Sequence, residues 1–138
     1  MKKQFFLVFI LCLIFSSCNI DDDTNVILGT EILPIESVEM PESFVLNETY
    51  EIHITYNRPS NCYQFYDFYY EINQNERTVG IINTVYDNPS CIEEEESVTV
   101  TLNFRVVSTE TYLFKFYQGQ DEEGEDLYYL VEVPVVDG

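Results

Sequence analysis

Val98-Thr99-Val100-Thr101-Leu102-Asn103-Phe104-Arg105-Val106 decides the fold. Apolar residues fall at every second position, with threonine, asparagine and arginine between them. Successive side chains of a strand point to opposite faces, so this spacing lays one apolar row against a core and one polar row toward water. A helix gathers residues three and four apart and would scatter the same row around its surface. Valine, threonine and phenylalanine also fit a pleated, half-buried surface. The stretch predicts a β-strand.

The same period recurs on both sides of it. Tyr50, Ile52, Ile54 and Tyr56 alternate with Glu51, His53 and Thr55. Tyr112, Phe114 and Phe116 alternate with Leu113, Lys115 and Tyr117. Leu127, Tyr129, Val131, Val133 and Val135 form a last row, and no segment past residue 30 carries a useful 3.6-residue period. Further strands are expected at 63–72 and 78–85. A short leading strand at 36–40 is stopped by Pro41, which suits a sheet edge because proline has no N–H to donate. Turn formers separate the segments: Asn57-Arg58-Pro59-Ser60-Asn61, Asn73-Gln74-Asn75, Asp87-Asn88-Pro89-Ser90 and residues 119–126. About seven short strands in roughly 100 residues predict an all-β, antiparallel two-layer sandwich, one domain over 35–138.

Thr109-Glu110-Thr111-Tyr112-Leu113-Phe114 places a tyrosine at the start of the sixth expected strand. This resembles the tyrosine corner of immunoglobulin-like and fibronectin-like domains, in which the hydroxyl bonds back to nearby backbone. The resemblance implies an Ig-like sandwich. The chain departs from an antibody domain in having no tryptophan, and Cys62 and Cys91 fall outside the second and sixth strands.

The N-terminus carries an address. Lys2 and Lys3 precede an uncharged apolar run over residues 5–15, the pattern of a secretory signal. As a helix that run covers only ~16 Å, about half of a bilayer core, so a permanent membrane span is not expected. Phe15-Ser16-Ser17-Cys18 resembles the lipobox of bacterial lipoproteins, with Phe15 where an aliphatic residue is usual. The resemblance implies that residues 1–17 are a cleaved signal peptide and that Cys18 becomes the lipidated first residue, anchoring the chain to a membrane. Asp21, Asp22 and Asp23 resemble the export tag of some surface lipoproteins, which implies an outer-membrane anchor facing the cell exterior. Residues 18–34 are then a lipidated cysteine and an acidic flexible tether.

The chain has 25 acidic residues against six basic ones, a net charge of −19. Two of the six, Lys2 and Lys3, lie in the signal, so the mature chain is more acidic still. Such a charge excludes nucleic acid as a partner and favours cations, basic partners or plain solubility. Disorder is not expected, because 11 Tyr and 10 Phe occur among many valines and isoleucines. Cys12 leaves with the signal and Cys18 carries lipid. Cys62 and Cys91 are then the only pair in an exported domain, and a disulfide is expected.

Catalysis lacks its parts. One histidine, His53, and two paired cysteines assemble neither a Ser-His-Asp nor a Cys-His set, and carboxylates are too abundant to single out a pair. The densest aromatic stretch, residues 63–70, offers Tyr63, Tyr66, Tyr69 and Tyr70 as residues that stack on a sugar or anchor a protein partner. The plainer expectation for this stretch is a central strand, buried on one face and half-covered on the other. The last acidic loop offers Asp121, Glu123, Glu125 and Asp126 as Ca²⁺ ligands, without EF-hand spacing. No other cofactor is expected. Arg58-Pro59-Ser60-Asn61-Cys62, the aromatic stretch and the closing Val133-Pro134-Val135-Val136 resemble small uncharacterised bacterial lipoproteins, a resemblance that implies no activity. The expected role is a non-catalytic surface-displayed binding module with a protein or glycan partner. The alternatives are a structural or accessory envelope protein, or a Ca²⁺- or glycan-binding domain.

Overall fold

The computed structural model describes residues 25–138, and none of these residues is helical. The described strands are β1 (Val26–Leu33), β2 (Ile35–Glu39), β3 (Phe44–Val45), β4 (Thr49–Arg58) and β5 (Tyr63–Asn73). The second half of the chain adds β6 (Glu76–Asp87), β7 (Glu96–Arg105), β8 (Tyr112–Gln120), β9 (Asp126–Val133) and β10 (Val135–Val136). The signal at 1–17, Cys18 and Asp21, Asp22 and Asp23 lie outside the described residues.

Two prolines direct the path. Pro34 separates β1 from β2, and Pro134 separates β9 from β10. A residue without an N–H cannot continue a ladder, and at both positions the chain leaves one sheet for another. Leu33 pairs with Ile81 of β6, whereas Ile35 pairs with Tyr56 of β4. Strands β1, β5, β6, β8 and β9 form a five-stranded sheet, and β2, β4 and β7 form a three-stranded one. Beyond Pro134, β10 runs parallel beside β3, and the Phe44 N–H donates to the Pro134 carbonyl at 2.8 Å.

One core lies between the two larger sheets. Ile52, Ile54, Tyr56 and Phe104 enter it from the smaller sheet. Val79, Ile81, Phe114, Phe116 and Val133 enter it from the larger one. Those from β4, β7, β8 and β9 belong to the rows that the period-two pattern assigns to one face; for β6 only a strand was expected. Phe44, Phe104, Tyr112 and Phe114 form an aromatic group with centroid spacings of 5.0 to 6.3 Å, the range in which tilted and edge-on rings attract. The Tyr112 hydroxyl accepts from the N–H groups of Val107 and Ser108, each at 3.0 Å. Tyr50 repeats the device, accepting from the Val45 N–H at 2.9 Å. Cys62 and Cys91 form a disulfide with Cα atoms 5.6 Å apart.

Three expectations are corrected. Residues 26–33, placed in a tether, form β1, which pairs antiparallel with the second half of β6. Its run Val26-Ile27-Leu28-Gly29 shows no alternation because Leu28 is an extra residue in the register and Gly29 sits at φ +146°. Second, the pairing is not antiparallel throughout. β8 runs parallel to β6 over Glu76–Val79, while β1 occupies the remainder of that edge. Third, ten strands are described where about seven were expected: β1 comes from the expected tether, β3 from a segment given no strand, and Pro134 divides the last apolar row into β9 and β10.

Candidate functional site

Strand β5 is the aromatic stretch, and it is an edge. It pairs only with β6, leaving its other side unpaired among the described residues, and no residue in it is fully buried. The expected central, half-covered strand is therefore corrected: β6, flanked on both sides, takes the central place. The register explains the aromatic order. Phe65 pairs with Asn83 and Asp67 with Ile82, so Tyr66 is an inserted residue, a β-bulge. The insertion shifts the alternation by one. Tyr63, Phe65, Phe68, Tyr70 and Ile72 share the side of the buried β6 residues, whereas Gln64, Asp67, Tyr69 and Glu71 face outward. Phe65 and Phe68 accordingly meet edge to face at 5.1 Å.

The structure thus separates the four candidate tyrosines. Tyr66, on the bulge, is 66% exposed. Tyr63 is half-buried, its carbonyl accepting from Arg58 Nη1 at 3.2 Å, and the Glu31 carboxylate that takes its hydroxyl hydrogen bond raises its phenol above the ordinary value. Tyr69 and Tyr70 fall on opposite faces.

Tyr69 belongs to an outer groove of about 260 Å³ that sequence reasoning missed. Its floor is Gly80, at the fork where the edge of β6 passes from β8 to β1. The absent side chain opens the space: a Cβ there would lie 3.3 Å from the Tyr69 Cβ and 3.4 Å from Ile32 Cγ2. Tyr117 and Tyr128, paired across β8 and β9 with rings 6.1 Å apart, form the far wall with Asp126. The Tyr69 hydroxyl donates to Glu71 at 2.7 Å, and that bond raises its phenol. Burial, followed by the Asp126 charge, raises Tyr128. Lys115 Nζ stands over the Tyr128 ring at 4.8 Å, a cation–π contact. The signal for Tyr117 was present in the β8 alternation, which puts it on the outward row.

Tyr70 belongs instead to a side cleft of about 500 Å³ between the free edges of β5 and β7. Phe68, Ile72 and Leu102 line it with Arg77 and Arg105. Burial raises the Tyr70 phenol, and the Arg77 guanidinium beside it pulls the other way through charge and a hydrogen bond.

The acidic loop is spent on its own turn. Asp121 Oδ1 accepts from the N–H groups of Glu123 and Glu125 at 2.8 and 3.0 Å, and Gly124 at φ +80° closes the hairpin. Asp126 Oδ1 accepts from Gln120 at 3.1 Å. Asp121, Glu123, Glu125 and Asp126 do not converge: among the described residues there is no group of three or more His, Cys, Asp or Glu side chains placed to hold a metal ion. Glu96, the first residue of β7, is paired with Arg58. His53 Nδ1 shares a hydrogen bond with the Thr101 hydroxyl at 3.0 Å.

Comparison with protein-family models, with curated proteins and with solved structures gives no match.

Proposed function

We propose that this chain is a lipid-anchored protein of the outer membrane, facing the cell exterior, whose Ig-like β-sandwich acts as a non-catalytic binding module for a protein partner. The observation that carries the binding role is β5: an 11-residue edge strand, aromatic on both faces, with its outer ladder unpaired among the described residues and Tyr66 raised on a bulge. An uncovered edge of this kind is a site for strand addition, with the backbone supplying hydrogen bonds and the side chains supplying selectivity. Tyr69, Ile32, Tyr117 and Tyr128 line one outer groove together with Thr78 and Asp126, and such a gathering favours a binding role over a purely structural envelope role. The Tyr112 corner supports the Ig-like assignment, from which the parallel pairing of β6 and β8 is a departure. The anchor rests on Phe15-Ser16-Ser17-Cys18 and the outward placement on Asp21, Asp22 and Asp23.

A photo-crosslinking amino acid at position 66 of the full-length protein on intact cells tests the binding role, with position 99 on the opposite sheet as control. A discrete adduct from 66 and none from 99 is expected; no adduct, or the same products from both, would overturn it. Protease treatment of intact cells tests placement. Wild type should be removed, a Cys18→Ser chain released, and a chain with Asp21, Asp22 and Asp23 replaced by asparagine protected.

A further inference from the structure

Lys2 and Lys3 aside, the chain has four basic side chains, and two of them, Arg77 and Arg105, line the same side cleft. Arg58 is paired with Glu96, and Lys115 lies over Tyr128. Arg77 is different. It is only 5% exposed, yet no carboxylate pairs with it among the described residues. Its guanidinium stands 5.1 Å from the Tyr112 ring centroid and 6.0 Å from that of Phe104. Nη1 donates to the carbonyls of Gln74 at 2.7 Å and Glu76 at 3.0 Å, and Nε has no acceptor among the described residues.

A buried guanidinium without its counter-charge is costly, and an N–H without an acceptor adds to that cost. With 25 acids in the chain, a carboxylate partner was readily available to this position, and none is placed there. Both carbonyl bonds use Nη1 and Nε is shielded from solvent, so Nη2 is the guanidinium donor left to meet the Tyr70 hydroxyl or a carboxylate oxygen in the cleft. Around it Phe68, Tyr70, Ile72 and Leu102 give the cleft an apolar wall, and Arg105, Asn103 and the Asp67 carboxylate also line it. Its volume falls within the range of small-ligand sites, which join an apolar lining to a few fixed polar groups.

We propose that the cleft between β5 and β7 binds a small apolar carboxylate, the acid group taken by Arg77 with Arg105 and the aryl or alkyl body laid along Phe68, Tyr70, Ile72 and Leu102. The charge logic is local: the recess gathers two cations, Arg77 and Arg105, against the single carboxylate of Asp67, in a chain whose exterior is otherwise strongly acidic. The site is distinct from the outer groove over Gly80, and its ligand is independent of any protein partner on Tyr66.

The probe is 3-phenylpropanoate, with 3-phenylpropanamide as the uncharged isostere, titrated into the full-length protein and followed by NMR of the arginine N–H and the Ile72 and Leu102 methyl signals. The carboxylate should shift these signals saturably and the amide should not. Arg105→Gln, a change on an exposed side chain, should weaken binding roughly tenfold, the effect of losing one charge-assisted contact. Arg77→Lys keeps the charge without the planar guanidinium and should weaken it at least as much; Arg105→Gln keeps the test intact where that chain fails to fold. Arg58→Gln should leave binding unchanged. N-acetylphenylalaninate distinguishes a free acid from a peptide C-terminus: tighter binding by this probe assigns the carboxylate to a chain end, and equal or weaker binding assigns it to a free acid. Equal binding of the amide, no saturable shift, or an unchanged affinity in Arg105→Gln would overturn the proposal.

Discussion

Tyr112 acts on two parts of the molecule at once. Its ring is fully buried among Phe44, Phe104 and Phe114, and its hydroxyl holds the loop before β8 through two backbone donors. Tyr112→Phe keeps the ring and removes the acceptor, so the N–H groups of Val107 and Ser108 lose their partner together. A loss of about 1–2 kcal/mol is expected from denaturant unfolding, because this loop is only partly shielded from water. A loss below about 0.3 kcal/mol would show that solvent replaces the bond in full. Tyr56 and Asn83 form a second such pair, wholly inside, with the Tyr56 hydroxyl donating to Asn83 Oδ1 at 3.1 Å. Asn83 Nδ2 has no acceptor among the described residues, so the amide depends on that single bond.

At the scale of elements, legibility followed the alternation. β4 and β7 repeat apolar and polar residues without interruption, β8 keeps its buried aromatic row at every second position, and the expected bounds match the observed strands closely. β5 hid its pattern because one inserted residue, Tyr66, exchanges the two faces partway along. Read across the bulge, its inward row is entirely apolar. β1 hid itself in the same way at Leu28. Strand direction leaves no mark on alternation, so the parallel entry of β8 beside β6 was not legible, nor was the fork that it creates with β1. The outer groove depends on that fork and on Gly80, whose role is set by contacts from three other strands. Gly80→Val would press against Tyr69 and Ile32 in a sheet that has no room to part. It should cost about 1–3 kcal/mol and fill the groove. Unchanged stability in a melting experiment would mean that Tyr69 swings aside freely.

For the whole molecule, the Cys62–Cys91 bond and the tyrosines govern stability under stress. The bond closes a separation of 29 residues and ties the start of β5 to the loop before β7. In the chain-entropy picture a loop of that size contributes about 3.5 kcal/mol, so Cys62→Ser with Cys91→Ser should lower stability by that order, measured by urea unfolding without reductant. The pH response follows from the phenols. Tyr56, Tyr63, Tyr70 and Tyr128 are all raised: Tyr56, Tyr70 and Tyr128 mainly by burial, Tyr63 mainly by its hydrogen bond to Glu31. Below about pH 10 these groups are neutral in both the folded and the unfolded chain, and their contribution is fully present. As pH rises past that value the unfolded chain releases its phenolic protons first, so it binds fewer protons than the folded chain and stability falls. The fall continues until the folded-state values are passed. Urea midpoints should therefore hold steady from about pH 8 to 9.5 and drop steeply above about pH 10. Tyr56→Phe, which removes the one raised phenol that is fully buried, should make the drop shallower even though the variant starts less stable. A midpoint that is level across this range, or an identical slope in Tyr56→Phe, would assign the alkaline limit to something other than these side chains.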